Sequence, residues 1–337
     1  MRMRDLAVAA ALGGVLVAAN GSSGISARAS VEVVFDEWTV PTARSRPHDP
    51  AFAPDGSAWW TGQIANVLGR LDPATGALKE FPLPTEKSGP HGLVADRQGN
   101  IWYTGQSARL IGKLEPKTGK VTEYKMPDPR ADPHTPIFDQ KGTLWFTVQG
   151  GNYVGKVDPA SGMVTLKEAP TPNSRPYGIV VNSKGVPFFD LSGTNKVGSI
   201  NPQTMEITEY TVIEGARPRR IAVTADDIVW YTDYQRGFLG RLNPATKDVK
   251  EFASPGGPRS QPYGMTTTAD GAVWYSESGI QPNTLIRFDP ATNALQTWRI
   301  PNGGGVVRHM VTAPNGDLWL AYSGIDKIGR VRVKKQT

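Results

Sequence analysis

Three of the four histidines in this chain, His48, His91 and His134, recur at intervals of 43 residues, and the fourth is His309. Imidazoles that return at one place in a repeat and converge suit a metal ion, a general base or an oxygen-rich ligand. The repeat is marked by an aromatic anchor at Trp59, Trp102, Trp145, Phe188, Trp230, Trp274 and Trp319. Eleven residues before each anchor stand His48, His91, His134, Tyr177, Arg219, Tyr263 and Arg308, and His309 is next to the last of them. Every side chain in this set can hydrogen-bond and none is acidic. Two arginines in such company suit a carboxylate, phosphate or other oxyanion, and they oppose a cation placed across from them. A wet channel needs polar linings and would account for the tyrosines, but it does not explain why histidine is confined to this position. Just after the anchors of the histidine-bearing repeats come Gln63, Gln106 and Gln149, with Asp233 and Glu277 near the corresponding place further on. The candidate metal ligands are therefore His48, His91 and His134. The candidate substrate contacts are Tyr177, Arg219, Tyr263, Glu277 and the three glutamines.

The anchors are separated by 43, 43, 43, 42, 44 and 45 residues, a period that points to a propeller or a solenoid. In the second copy, Pro90 to Ala95 reads as a short strand and Gln98-Gly99-Asn100 as a tight turn. Ile101 to Thr104 follows as an aromatic and β-branched strand, then Leu110 to Leu114, a proline–glycine turn, and the alternating segment Val121 to Met126. Four antiparallel strands in each of seven units, with no helical periodicity, predict an all-β fold, a seven-bladed β-propeller. The last copy stops at its third strand, near Ile328 to Val331, while Val33 to Pro41 matches the fourth-strand segment Leu78 to Pro84. The N-terminal strand is thus expected to complete the last blade and close the ring, pairing edges that would otherwise be open. In a propeller the first strand of each blade lines the central channel, so the recurrent set above would ring its mouth. Strict counting puts Arg308 on that ring, and simple strand alternation would then turn His309 to the other face. Extra loop length falls only around Ser278 to Asn283 and Asn302 to Gly305.

The 337 residues carry a net charge of +6, 39% hydrophobic residues and no cysteine, which excludes a disordered tail, disulfides, thiolate zinc and a cysteine nucleophile. No run rich in lysine and arginine precedes Lys334-Lys335, so nucleic acid is not an expected partner. Met1-Arg2-Met3-Arg4, the apolar stretch Leu6 to Ala19 and Ala27-Arg28-Ala29 read together as a signal peptide over residues 1–29. That stretch is shorter than the ~20 residues that span a bilayer, and no cysteine follows to carry a lipid. Residues 30–337 are expected to form one propeller domain in the periplasm or outside the cell. A closed ring demands no dimer, so a monomer is expected.

The run Trp-Tyr-Thr, then Ile-Gly-Lys-Leu, Val-Thr-Glu-Tyr and a Pro-x-Gly-Ile type of start, resembles the streptogramin (virginiamycin B) lyase family over roughly residues 31 to 333. The resemblance implies a seven-bladed propeller that opens a cyclic depsipeptide antibiotic at its ester by elimination, with magnesium. A base takes the proton α to the carbonyl while the metal and nearby donors steady the enolate. The family's catalytic histidine corresponds to His309, with Arg308 or Arg219 as the group steadying the enolate, and its second, substrate-contacting histidine corresponds to Tyr263. Its two magnesium-binding acids correspond to Val307 and Ser323, neither of which is a carboxylate. Beside the lyase stand two other readings: a hydrolase or lactonase using a transition metal on His48, His91 and His134, and a propeller that binds a ligand or protein without chemistry.

Overall fold

Each repeat folds as a four-stranded antiparallel sheet because its strands alternate between two apolar faces and its turns carry glycine where the backbone needs a positive φ. The computed structural model describes residues 31–335, so the expected signal peptide lies outside the described residues. Seven such sheets follow one another in the chain, and in each the first strand is innermost. These inner strands run Pro47–Phe52, Pro90–Ala95, Pro133–Phe138, Pro176–Val181, Pro218–Val223, Pro262–Thr267 and Val307–Thr312. The ring closes as expected: Val31–Thr39 pairs antiparallel with Lys327–Lys335 and joins the sheet of Leu318–Tyr322 and Val307–Thr312.

The core is distributed between blades and does not form one central mass. One cluster joins Trp59, Leu68 and Phe81 of the first blade to Leu93, Ile101, Tyr103 and Leu114 of the second, and the other clusters repeat the plan around the ring. The anchors are almost wholly buried. At roughly 25 cal/mol per Å2 and about 150–250 Å2 a ring, each is worth about 4 to 6 kcal/mol of transfer energy. The indole N–H groups of five anchors donate to a residue of the preceding turn, among them Trp102 to Asp96 at 3.0 Å and Trp145 to Asp139 at 2.9 Å. The glycine of the third strand lets the aromatic ring next to the anchor lie flat: a methyl on Gly112 would stand 2.1 Å from Tyr103.

Two features of the blades position the channel residues. In every blade the register between the first two strands shifts near the start of the inner strand, as between Pro47 and Pro50. A bulge of this kind sets two residues against one, so consecutive side chains need not alternate. In five blades a hydroxyl two residues after the anchor then ties neighbouring blades together. Thr61 accepts the N–H of Asp49 and donates to the carbonyl of His91 at 2.8 Å, and Thr104 does the same for Gly92 and His134. The two longer loops do not hang free: Gln281 donates to the carbonyl of Gly305, and the N–H of Asn283 to that of Gly303.

Candidate functional site

The recurrent side chains meet at the channel in two layers, one for each residue of the bulge. In the outer layer His48, His91, His134 and Tyr177 form a staircase, with ring centroids 3.8, 3.8 and 3.9 Å apart and planes tilted by 47°, 45° and 46°. The Tyr177 hydroxyl bonds that of Tyr263 across the channel. The guanidinium of Arg219 lies over three rings, 4.2 Å from the centroid of Tyr234, 4.6 Å from Tyr263 and 5.3 Å from Tyr177. Arg308 approaches Tyr263 at 5.9 Å. All seven residues counted from the anchors thus gather at one opening.

The inner layer comes from the next residue in each strand: Asp49, Thr135, Arg220 and His309, with glycine at 92, 178 and 264 leaving room. Arg220 is 1% exposed and crosses the channel under the ring. Its Nη2 meets Asp49 at 2.8 Å, its Nη1 meets Thr135 at 3.1 Å, and its Nε donates to the Arg308 carbonyl at 2.9 Å. Both Arg308 and His309 face the channel interior, because the bulge suspends the alternation that would have turned one of them away. His309 lies on the far side of this plug, where it borders an otherwise largely apolar cavity of about 410 Å3.

Burial dominates the electrostatics. It drives the imidazole of His48 down to about 4 and that of His309 to about 3, and holds His91 and His134 well below their usual value, so all four rings are neutral at pH 7. For Asp49 burial pulls upward, but Arg220 and the hydrogen bond from His48 outweigh it and hold the carboxyl well below the ordinary range. Burial also works to keep the proton on Tyr263, yet Arg219, Arg220 and Arg308 together lower its affinity, while Tyr177 is raised. Of this pair Tyr263 ionises first, and Tyr177 remains the donor to it.

Of the metal set expected from sequence, the geometry keeps two members and exchanges the third. His48, Asp49 and His91 bring their ligand atoms within 4.8 Å of one another and could hold a metal ion. Within that group Nδ1 of His91 and Oδ2 of Asp49 are buried without a partner, whereas Nδ1 of His134 is occupied by Thr135. The magnesium site implied by resemblance has no such fit. Val307 is wholly buried in an apolar cluster, and Ser323 donates its hydroxyl to the carbonyl of Pro47. Among the expected substrate contacts, Gln149 borders a cleft with Tyr177 and Arg219, while Gln63 and Gln106 are half-buried and do not border it. Glu277 is 1% exposed and holds a loop, accepting from Ser254, the N–H of Gly256 and Thr284. Asp233 likewise receives Arg236 and the N–H of Arg217. Asp49 and Arg220 did not emerge from the sequence pattern. The signal was there in charged residues directly after two ring positions, but it reads as surface unless the bulge is known.

The profile of the virginiamycin B lyase family matches residues 6–192 and again 187–337. A solved streptogramin B lyase is 26% identical, with a TM-score of 0.82 over 90% of this chain and 98% of that one. The virginiamycin B lyase of Staphylococcus aureus is 25% identical, with a TM-score of 0.81 over 89% of this chain and 99% of its own. Its catalytically inactive histidine-to-alanine variant, solved with quinupristin, superposes equally well at 24% identity. Hydrazine synthase of Kuenenia stuttgartiensis, at 14% identity and a TM-score of 0.73, shares the fold alone. No curated protein sequence matches this chain.

Proposed function

The chain belongs to the virginiamycin B lyase family, and from that premise we propose that it is a carbon–oxygen lyase that opens an ester by elimination at the channel mouth. The observation that carries this reading is the Tyr177–Tyr263 pair enclosed by Arg219, Arg220 and Arg308. A phenol whose proton affinity is lowered by three cations, and whose oxygen already receives a hydrogen bond, is a proton acceptor in waiting. With Tyr263 as the phenolate, Tyr177, which borders the cleft, takes the proton from the carbon next to a carbonyl and passes its own to the Tyr263 oxygen. The C–H electron pair becomes the new C=C bond, the bond from the β-carbon to the ester oxygen breaks, and that oxygen leaves with its pair as a carboxylate. Arg219 and Arg308 neutralise the charge that gathers on the carbonyl oxygen. His309, the base implied by resemblance, is one layer deeper and behind Arg220. No step is assigned to magnesium, because Val307 and Ser323 offer no hard anionic oxygen.

The test uses a streptogramin B type cyclic depsipeptide, the class of ligand bound by the inactive staphylococcal variant. Mass spectrometry should find a ring-opened product of unchanged mass, formed in the presence of a chelator. Tyr263→Phe should lose at least about a hundredfold in rate, and His309→Ala should keep most of it. A product heavier by one water, or full activity in Tyr263→Phe, overturns the reading. The group His48, Asp49 and His91 favours a second reading, a hydrolase using a transition metal. Elemental analysis that finds a bound metal, lost together with activity in His91→Ala, selects it. From the basic, apolar and small-residue segments at the N-terminus we also place the mature chain outside the cytoplasm, which cell fractionation tests. Among the described residues no helix is long and apolar enough to cross a membrane.

A further inference from the structure

Beside the channel mouth a cleft of about 360 Å3 runs between the fourth and fifth blades, bordered by Gln149, Arg175, Tyr177, Arg217, Arg219 and Tyr234. No acidic side chain borders it, and among the described residues none of its three arginines joins an ion pair. The Nε of Arg219 is buried without a hydrogen-bond partner, although its guanidinium is fixed over three tyrosine rings. Arg219 leans on the Tyr263 oxygen and Arg217 donates to the carbonyl of Ala216, but no carboxylate faces the three cations from the cleft, and like charges gathered in that way are stabilised by an anion.

A second observation points the same way. Arg175 holds a φ of 56° at the position before the inner-strand proline, a backbone that Arg46 at 54°, Gln261 at 49° and Gly89 at 61° share in other blades. Glycine adopts that backbone freely, whereas a side chain there costs about 1 kcal/mol. The strain belongs to the repeat; what is particular to Arg175 is that its side chain lines the acid-free cleft.

We propose that this cleft binds an oxyanion, a carboxylate or phosphate group, carried by the molecule that reacts at Tyr177. The inference deepens the lyase reading and rests on it for the identity of the occupant, but anion binding itself is read without turnover. Gln149 and Tyr234 supply hydrogen bonds at the sides, and Tyr177 is shared between the cleft and the reacting centre. The substrate would then be an ester bearing a negative charge on the side that enters the fourth and fifth blades.

The experiment is calorimetric titration of the full chain with citrate and, separately, with inorganic phosphate, with glycerol as the neutral control. Binding of either anion, weakened about tenfold or more in Arg175→Gly and in Arg217→Gln and unaffected by Arg97→Gln on the far face, is the expected result. Preference for citrate identifies a carboxylate, and preference for phosphate a phosphate ester. Because glycine suits the backbone at 175, a Tm at or above that of the parent excludes misfolding as the cause. Absence of binding, or equal losses in all three variants, overturns the cleft and leaves the lyase reading standing. Full activity in Tyr263→Phe overturns that reading and leaves anion binding untouched.

Discussion

Arg220 is the residue on which the inner layer depends. It is buried with Asp49 at 1% exposure each, and its remaining nitrogens are met by Thr135 and the Arg308 carbonyl. A pair so placed adds little over an apolar substitute, but removing one partner strands a charge in a dry channel. Arg220→Ala should therefore cost about 3–5 kcal/mol in chemical denaturation, and Asp49→Ala in the same background should recover part of it. Additive losses would mean that the two groups do not act as a pair. The histidines give a second expectation. Unfolded imidazoles take up protons below about pH 6.5, whereas in the folded channel His48 does so only near 4 and His309 near 3. The unfolded chain binds more protons across that window, so stability is present above the unfolded value and is lost as the pH falls. By about pH 4.5 each of the two removes on the order of 2 kcal/mol. A Tm that stays level between pH 7 and about pH 4.5 would show these rings to be solvated.

At the scale of the strand, the outer ring was legible because the repeat counts residues reliably from its anchors. What could not be read was the bulge. It leaves no mark in composition, yet it turns Asp49, Arg220 and His309 inward beside His48, Arg219 and Arg308. Nor could the partners of Arg220 be read, since Asp49 lies 171 positions away and only ring closure brings it across. The hydroxyl two residues after five of the anchors was visible as part of a motif but not as a tie between blades. Two blades lack it, the seventh with Ala321 and the fourth, and the fourth is informative. In the fourth blade the place belongs to Asp190, whose Oδ1 accepts the N–H of Gly178 at 2.6 Å while Oδ2 is buried without a partner. A carboxylate cannot donate to the next blade as the threonines do, and burial pushes Asp190 up to about 7. Its stabilising contribution is thus present below the unfolded value of about 3.9 and is lost as the pH rises through 7. Asp190→Thr should raise the Tm by about 3 °C or more at pH 8, with a smaller gain at pH 5. An equal gain at both pH values would detach the effect from ionisation.

A propeller of seven blades has one weakness, the seam where its two termini meet, and here nine residue pairs from Val31↔Lys335 to Thr39↔Lys327 bridge it. The bridge is fastened on both faces. Trp38 stacks on Trp319 at 5.8 Å, and Asp36 receives both Arg330 and Arg332. The ion pairs are partly solvated and are worth at most about 1 kcal/mol each, so the apolar side must dominate. Trp38→Ala should accordingly cost about 3 kcal/mol or more, and Asp36→Asn no more than about 1. Deleting residues 31–39 goes further, because it leaves the whole strand Lys327–Lys335 as an unpaired edge and uncovers the apolar faces beneath it. Such an edge pairs with whatever strand is available, including one from another copy. The truncated chain should therefore elute from size-exclusion chromatography as dimers and larger species, shifting to them with concentration. A truncated protein that runs as a single small species and melts with the full-length chain would mean that the ring is held by its blade-to-blade cores alone.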